Sequence, residues 1–284
     1  MSASLPFRKM HGLGNDFVVL DARARAFDLT PAQIRAVADR RTGVGFDEML
    51  ILERPREGGD GYMGVRNADG TFSASCGNGS RCVAGLLMAE SGKDKIVLET
   101  AAGPLIAWRA EDGLIAIDMG PARLDWNEIP LRENVDTLHL PVSEGPLADP
   151  VAVSMGNPHA VFFVPDVNAI DLETLGPKLE HHPLFPERAN IEIVQVLDRG
   201  HLRMRVWERG AGITRACGTG ACAVAVAAAR RGLADRAVTI TLDGGDLNIW
   251  WREDNHVIKT GPFAESFAGT LDASLLPATS GAAA

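Results

Sequence analysis

Several features that mark other classes of protein are missing from this chain of 284 residues. It has no run of five or more Lys and Arg residues, and its formal net charge of −9 repels nucleic-acid phosphates. No uninterrupted apolar stretch reaches the roughly 18 residues that a membrane-spanning helix needs. Residues 1–7 carry no basic segment that leads into an apolar one, so no export signal is predicted. We expect a cytoplasmic protein that binds neither nucleic acid nor membrane.

Cysteine is also scarce, with four residues: Cys76, Cys82, Cys217 and Cys222. Two disulfides are possible in principle, but a chain of this size without an export signal normally keeps its thiols reduced. Structural zinc is disfavoured, because five residues separate the first pair, four separate the second, and no matched C-x₂₋₄-C pairs occur. Gly12-Leu13-Gly14 and Gly43-Val44-Gly45 lack the third glycine of a dinucleotide loop. We predict neither a metal site nor a nucleotide site.

Short β-strands dominate the hydrophobic pattern of the chain. Period-two alternation and β-branched runs predict strands at Asp16–Asp21, Met49–Glu53, Ile96–Thr100, Leu114–Met119, Ala160–Val164, Ile191–Val196, Leu202–Glu208, Val238–Leu242, Leu247–Trp251 and Val257–Lys259. Turn sequences such as Glu111-Asp112-Gly113, Asp243-Gly244-Gly245 and Glu253-Asp254-Asn255 suit hairpins. The pattern therefore indicates antiparallel or mixed sheets.

Four helices are predicted, of two kinds. Pro31–Arg40 follows the N-cap Thr30, and Leu172–Glu180 follows the N-cap Asp171. Gly79–Ser91 and Gly218–Arg231 are instead apolar on nearly every face. Because a helix that is apolar all round must be buried all round, we expect each to be enclosed by a curved sheet.

The two apolar helices also mark an internal repeat. Cys76-Gly77-Asn78-Gly79 leads into the first helix, and Cys217-Gly218-Thr219-Gly220 leads into the second. We predict an α/β (α+β) fold of two pseudo-symmetric halves, each a curved mixed or antiparallel sheet around a central buried helix, with both turns facing a shared cleft. The predicted halves are residues 1–121 with 263–277 and residues 122–262, and 278–284 form a disordered tail.

A cysteine just before a helix is placed for acid–base chemistry. The first N–H groups of a helix lack partners within it, and the helix dipole is positive at that end, so a thiolate is favoured. The same N–H groups can bind a carboxylate. Two such cysteines, Cys76 and Cys217, would supply the base and the acid that inversion of a stereocentre through a carbanion requires.

Structural explanations compete with this hypothesis. A single Cys-Gly turn is more often a glycine turn with a buried cysteine, since free cysteine behaves as a small apolar residue. The repetition of the turn favours chemistry for Cys76 and Cys217. Cys82 and Cys222 fall inside the apolar helices, and packing is the better interpretation for them.

The order of motifs along the chain resembles that of the diaminopimelate epimerase family. The motifs that carry the resemblance are His11-Gly12-Leu13-Gly14-Asn15-Asp16-Phe17, Asn67-Ala68-Asp69-Gly70, Cys76-Gly77-Asn78-Gly79-Ser80-Arg81-Cys82, Gly156-Asn157-Pro158-His159, Asn190-Ile191-Glu192, Trp207-Glu208-Arg209-Gly210-Ala211-Gly212 and Ala216-Cys217-Gly218-Thr219-Gly220. They extend over almost the whole chain, from residue 7 to about residue 270.

The resemblance implies an isomerase that converts LL-2,6-diaminopimelate to the meso isomer in lysine and peptidoglycan precursor synthesis, without pyridoxal phosphate or metal. It implies two pseudo-symmetric halves and a homodimer. Cys76 and Cys217 match the catalytic residues, and His159 and Glu208 match side chains that tune proton transfer. The substrate-binding positions match Asn15, Glu48, Asn67, Gly77, Asn78, Asn157, Asn190, Glu208, Arg209, Gly218 and Thr219. Glu48 stands where the resemblance leads us to expect glutamine.

The chemistry of these side chains agrees with such a substrate. Diaminopimelate carries two carboxylates and two ammonium groups, for which Arg209 and Glu208 are complementary. Taken singly, the asparagines are more typical of turns and His159 of a structural histidine, and only their joint arrangement favours binding. Two alternatives remain: an enzyme similar to proline racemase or hydroxyproline epimerase, and a non-catalytic binding protein of the same fold.

Overall fold

The structure is a computed structural model that describes residues 5–74 and 76–276. The chain divides into two compact units: Met1–Ile115 with Phe263–Ala284, and Ala116–Pro262. The sequence places the division between 121 and 122, and the predicted tail 278–284 lies outside the described residues. No helix in the described ranges is long and apolar enough to cross a membrane.

The described residues form four α-helices and 19 strands. The helices are α1 (Pro31–Ala38), α2 (Gly77–Ser91), α3 (Leu172–Glu180) and α4 (Gly218–Arg230). The strands are β1 (Leu5–Gly12), β2 (Asn15–Asp21), β3 (Glu48–Glu53), β4 (Gly61–Asn67), β5 (Phe72–Ser73), β6 (Lys95–Thr100), β7 (Gly103–Arg109), β8 (Ile115–Pro121), β9 (Ser143–Glu144), β10 (Leu147–Ala148), β11 (Val151–Ser154), β12 (Pro158–Phe163), β13 (Asn190–Asp198), β14 (His201–Glu208), β15 (Gly212–Ile213), β16 (Ala237–Leu242), β17 (Gly245–Trp251), β18 (His256–Gly261) and β19 (Ala264–Leu271).

The sheet of the first unit is mixed. β1 pairs antiparallel with β2, β2 parallel with β3, β3 antiparallel with β4, β4 antiparallel with β5, β4 parallel with β6, and β6 antiparallel with β7. The last strand, β19, returns to pair antiparallel with β1. Helix α2 contacts β1, β2, β3, β4, β6 and β7. A helix that touches so many strands of one sheet requires that sheet to curve around it.

The second unit repeats this order of pairings strand for strand. β11 pairs antiparallel with β12, β12 parallel with β13, β13 antiparallel with β14, β14 antiparallel with β15, β14 parallel with β16, and β16 antiparallel with β17. β17 continues to β18, which also pairs with β8. Helix α4 follows β15 as α2 follows β5, and it contacts β11, β12, β13, β16, β17 and β18. The internal repeat in sequence is therefore a repeat in topology.

Both faces of each sheet are covered, because successive strand residues point to opposite sides. In β2, Val18 and Leu20 pack with Ile34 and Val37 of α1 on the outer face. In β13, Ile191 and the residues two apart from it pack with the leucines of α3. The alternate residues face the central helices. Each unit therefore has a short outer helix and a long inner one.

The inner helices confirm the prediction of all-round burial. Every residue from Gly218 to Ala228 is buried except Thr219, and α2 is buried from Asn78 to Gly85. The α/β fold class with two repeated, sheet-wrapped helices is thus the one that the sequence predicts.

Element boundaries match the predictions closely, with some corrections. α3 spans the predicted residues, whereas α1 ends two residues early and α2 begins two residues early, at Gly77. The turns at 243–245 and 253–255 join hairpins as predicted. The hairpin expected at 111–113 is wrong, because β7 pairs with β6 whereas β8 pairs with β18. Nine strands were not predicted. Five are longer strands, most of which carry glycine, proline or charged residues that weaken the strand pattern: β1, β4, β7, β11 and β19. The other four have only two residues each: β5, β9, β10 and β15.

Gly85 offers a direct test of how closely α2 is enclosed. A Cβ at this position would lie 2.6 Å from Cε2 and 2.7 Å from Cε1 of Phe263. We expect Gly85→Ala to reduce the free energy of unfolding by about 1–3 kcal/mol through overpacking, measured by urea denaturation. The matched control is Gly64→Ala, whose Cβ would meet neighbours only at 3.6 Å or more. Phe263→Leu should partly restore the stability of Gly85→Ala, and equal losses in Gly85→Ala and Gly64→Ala would contradict this packing.

Candidate functional site

Cys76 is the N-cap residue of α2 in the first unit. Its Sγ accepts a hydrogen bond from the Gly79 N–H at 3.3 Å, and its own backbone is extended, with φ −137° and ψ 107°. The residue is 8% exposed. Position 79 has room only for glycine, since a Cβ there would lie 2.8 Å from the Leu50 side chain. The thiol group thus sits where the unpaired N–H groups of a helix begin.

The amide of Asn15 links the residues around Cys76. Its Oδ1 accepts from Asn78 Nδ2 at 3.1 Å and lies 4.0 Å from Cys76 Sγ. Its Nδ2 donates to Asp47 Oδ2 at 2.9 Å and to Glu48 Oε2 at 3.0 Å. Asn15, Glu48 and Asn78, predicted separately along the sequence, therefore form one hydrogen-bonded group with Cys76. The carboxylate of Glu48, in place of the expected glutamine, acts here as an acceptor.

Asn67 lies at the end of β4, opposite Glu48 in the strand register. Its Nδ2 donates to Thr71 Oγ1 at 2.8 Å within the turn that follows. This contact matches the turn-forming role that asparagine has in isolation. Gly77 is the first residue of α2.

A charged cluster beside Asn15 was missed by the sequence analysis. Asp16 accepts hydrogen bonds from Lys9 and Arg40, the latter at 2.7 Å, and Arg40 also bridges to Asp47 at 2.7 Å. Burial raises the pKa of the Asp16 carboxyl, but the hydrogen bonds from Arg40 and Lys9 outweigh it and lower the pKa to about 2. Because Asp47 also holds Asn15, the cluster fixes the first residues of β2 and β3.

Cys217 is the N-cap residue of α4 and repeats the geometry of Cys76. Its Sγ accepts from the Gly220 N–H at 3.3 Å and lies 3.6 Å from Thr219 Oγ1. The residue is 4% exposed. Burial raises the pKa of the Cys217 thiol well above its ordinary value, and the charges of Glu208 and Glu192 raise it further. This is opposite to the lowering that the helix N-terminus alone predicts.

His159 connects several of the predicted residues around Cys217. Its Nε2 lies 3.0 Å from Asn157 Oδ1, and the Asn157 amide donates to Thr219 Oγ1 at 3.4 Å. On the other side of the ring, Nδ1 lies 2.7 Å from Glu192 Oε1. Gly218, the first residue of α4, is buried beside this group. His159 is therefore held by oxygen atoms at both ring nitrogens.

Glu208 is at the end of β14 and faces Cys217. Its carboxylate accepts from Thr214 Oγ1. Burial raises the pKa of the Glu208 carboxyl, while hydrogen bonds from Thr214 and Cys217 lower it in part. Glu208 thus contacts the Cys217 thiol directly.

Asn190 and Arg209 hold the turn after β14. Asn190 donates to the Pro158 carbonyl at 3.0 Å and accepts from the Arg209 N–H at 3.0 Å, so its amide is used within the protein. The Arg209 guanidinium donates to the Glu187 carbonyl at 2.9 Å. Buried Glu180, missed by the sequence analysis, binds the same turn by accepting from the Gly210 N–H at 3.0 Å.

The remaining cysteines have a different environment. All four lie within the described ranges, and Cys82 and Cys222 are fully buried inside α2 and α4. Burial raises the pKa of Cys82 to about 12. The described residues contain no group of three or more His, Cys, Asp or Glu side chains arranged to hold a metal ion.

Glu192 was also missed from the sequence, and its environment is more unusual than that of Glu180. It lies in the buried run Ile191-Glu192-Ile193-Val194 and is 0% exposed. A charged residue inside an apolar strand was the available signal, because buried charges require partners. The family resemblance gives a role to Asn190 of this motif and none to Glu192.

The lowered pKa of Asp16 predicts a specific acid sensitivity. A carboxyl with a lowered folded-state pKa adds stability above its ordinary pKa of 3.8, and that contribution is lost as the pH falls through about 2. We expect Asp16→Asn to cost up to about 2 kcal/mol at pH 7 and to flatten the pH dependence between about pH 4 and pH 2. Denaturation at a series of pH values measures both effects. Exposed Asp28 provides the control, and an Asp28→Asn profile equal to that of Asp16→Asn would overturn the assignment.

Comparisons with known proteins show the family to which this chain belongs. Residues 7–124 and 151–264 match the family described as diaminopimelate epimerase. The chain is 59% identical over 272 residues to the diaminopimelate epimerase of Rhodospirillum centenum, covering 95% of this chain and 94% of the relative. It is 54% identical over 277 residues to that of Phenylobacterium zucineum, covering 95% of this chain and 100% of the relative.

Solved structures share the fold at much lower identity. A phenazine biosynthesis protein of the PhzF family from Bacillus anthracis superimposes with a TM-score of 0.67 at 15% identity, covering 95% of this chain and 99% of that one. A hydroxyproline epimerase from Agrobacterium vitis gives a TM-score of 0.67 at 16% identity, covering 95% and 93%. These likenesses concern the fold. The family match and the identity of the curated relatives over nearly the full chain show that this chain belongs to the diaminopimelate epimerase family of isomerases.

Proposed function

We propose that this enzyme converts LL-2,6-diaminopimelate to the meso isomer without a cofactor, with Cys76 and Cys217 as the two proton-transfer groups. The observation that carries the proposal is the repeated helix cap. In two units with the same strand pairings, a cysteine precedes the buried helix and its Sγ accepts a glycine N–H at 3.3 Å. One such cap is compatible with a structural cysteine, whereas two in equivalent places supply an acid and a base.

The proposed reaction is a transfer of protons at the α-carbon. The thiolate of one cysteine removes the α-proton, so that an S–H bond forms and the electron pair of the C–H bond moves toward the α-carboxylate. The thiol of the other cysteine then donates its proton to the opposite face, leaving a thiolate. The raised pKa of Cys217 favours the thiol form for this residue before substrate binds. Free N–H groups at the helix ends stabilise the charge that develops on the carboxylate.

We assign substrate recognition to the polar residues around the two caps. Arg209 would bind a carboxylate and Glu208 an ammonium group, and the asparagines offer a donor and an acceptor in one side chain. His159 and Glu208 would tune the proton transfers. The proposed substrate-binding set is Asn15, Glu48, Asn67, Gly77, Asn78, Asn157, Asn190, Glu208, Arg209, Gly218 and Thr219.

The cellular setting is a further part of the proposal. The reaction would serve lysine and peptidoglycan precursor synthesis in the cytoplasm, where thiols stay reduced. The two compact units would be the two halves of the enzyme, and the protein would act as a homodimer, as the family resemblance implies. Sedimentation equilibrium of the purified protein measures the oligomeric state, and we expect the mass of a dimer.

Cysteine substitutions test the two-base scheme. We expect Cys76→Ala and Cys217→Ala each to reduce LL-to-meso conversion to the background of the assay, because either loss leaves one face without its proton-transfer group. Conversion is followed by chiral chromatography of purified protein under reducing conditions, with circular dichroism to check folding. Cys82→Ala and Cys222→Ala are matched controls inside the same helices and should retain activity.

Two outcomes would contradict the proposal. Full activity in either Cys76→Ala or Cys217→Ala would exclude the two-base scheme. Turnover of proline or hydroxyproline by the wild-type protein, with no turnover of diaminopimelate, would exclude the substrate.

A further inference from the structure

The inner face of the second unit contains a buried carboxylate, Glu192, to which the proposed reaction assigns no role. Glu192 Oε1 lies 2.7 Å from His159 Nδ1, and both side chains are 0% exposed. The other carboxylate oxygen, Glu192 Oε2, is buried and has no hydrogen-bond partner among the described residues. A buried carboxylate that is only half satisfied is costly, so its presence calls for a role.

The carboxylate lies directly behind the first turn of α4. A Cβ built on Gly220 would be 2.9 Å from Glu192 Oε1 and 3.2 Å from Cys217 Sγ. The Gly220 N–H is also the donor to that sulfur. Glu192 therefore places negative charge beside the helix end whose N–H groups would otherwise favour a Cys217 thiolate.

The topological repeat provides an internal comparison for Glu192. In the first unit Leu50 pairs with Val65, and in the second Glu192 pairs with Val206, at equivalent positions of the β3–β4 and β13–β14 pairs. A Cβ on Gly79 would meet Leu50 at 2.8 Å, as a Cβ on Gly220 would meet Glu192. The position behind the helix is thus the same, and only the charge differs.

His159, which binds Glu192, also has an apolar counterpart at the equivalent position of the first unit. His159 pairs with Asn190 in the parallel β12–β13 register, just as Phe17 pairs with Glu48 between β2 and β3. The first unit therefore has an apolar Phe17 and Leu50 where the second has His159 and Glu192. The two cysteines therefore have equivalent backbone positions, but the residues behind them are apolar in the first unit and ionisable in the second.

We propose that Glu192 is a positioning residue that makes the two cysteines unequal. It fixes the His159 ring through Nδ1, so that Nε2 faces Asn157, and its negative charge keeps Cys217 in the thiol form. This role rests on the proposed function, in which one cysteine must begin as a thiol and the other as a thiolate. Among the described residues, the titratable groups that act on this carboxylate or on the Cys217 thiol include His159 on β12 and Glu208 on β14. Lys259 is buried on β18, another strand that packs against α4.

Two substitutions separate the two parts of this role. Glu192→Gln removes the charge but keeps an oxygen that can accept from His159 Nδ1–H. Glu192→Leu, which copies the first unit, removes both. The matched control is Glu173→Gln, which removes one negative charge from an exposed position on α3 of the same unit.

The first measurement is the titration of Cys217, read as thiolate absorbance at 240 nm in a Cys76→Ala background. Subtraction of the Cys76→Ala/Cys217→Ala spectrum isolates the Cys217 signal. We expect both Glu192 variants to shift the titration midpoint down by about one pH unit or more, and Glu173→Gln to leave it in place. An unchanged midpoint in Glu192→Gln overturns the electrostatic role.

The second measurement is the state of the His159 ring, read from its ¹⁵N chemical shifts. We expect Glu192→Gln to keep the Nδ1–H of the wild type and Glu192→Leu to change the tautomer. Identical spectra in all three proteins would overturn the positioning role. If Glu192→Leu does not fold, Glu192→Ala, which also removes the acceptor for Nδ1–H, takes its place in this comparison, and Glu192→Gln with the wild type still decides the electrostatic role.

Neither measurement depends on turnover, so the two proposals can fail separately. A shifted Cys217 midpoint in a protein without epimerase activity would support the role of Glu192 and refute the proposed reaction. An active wild-type enzyme, together with an unchanged Cys217 midpoint in Glu192→Gln, would support the proposed reaction and refute the role of Glu192. In an active enzyme, the pH profile of kcat/KM should shift in the same direction as the Cys217 midpoint.

Discussion

The burial of one apolar helix in each unit is the constraint from which the rest of the structure follows. A helix such as α4, with nearly every residue inaccessible to water, must be surrounded by side chains on all sides, and a curved sheet supplies them. Burial also removes water from the helix start, where backbone N–H groups have no partners within the helix. The N-cap thiol groups of Cys76 and Cys217 meet that need by accepting a glycine N–H. The same position at the helix start is the reason for which we propose them as the proton-transfer groups.

The sheet approaches the start of each inner helix so closely that only a glycine fits there. Gly79 and Gly220 leave room for Leu50 and Glu192, with hypothetical Cβ distances below 3.0 Å in both units. The strand pairs that carry these neighbours have equivalent registers. Because the registers are equivalent, the two units differ here in one side chain, with Glu192 in place of Leu50. This difference changes the charge beside the start of α4 and leaves the backbone arrangement the same.

The polar groups around the caps differ in how firmly they are held. Asn15 contacts Asp47, Glu48 and Asn78, so its amide is oriented on every side. His159 is likewise held at both ring nitrogens. Residues fixed by the protein in this way lose little conformational freedom when a ligand binds, which lowers the entropic cost of binding.

The sequence by itself determined the class of fold, the four helices to within two residues at their ends, the repeat and the two cysteines, because periodicity, caps and the Cys-Gly-x-Gly turns are local signals. It did not reveal strands such as β1 and β4, because the proline, glycine and charged residues within them interrupt the strand pattern. The environment of Cys217 was decided only by the tertiary structure. The helix end alone favours a thiolate, but burial and the carboxylates of Glu208 and Glu192, 9 and 25 residues away in sequence, raise the pKa of the thiol instead, and no local pattern records which charges the fold brings together.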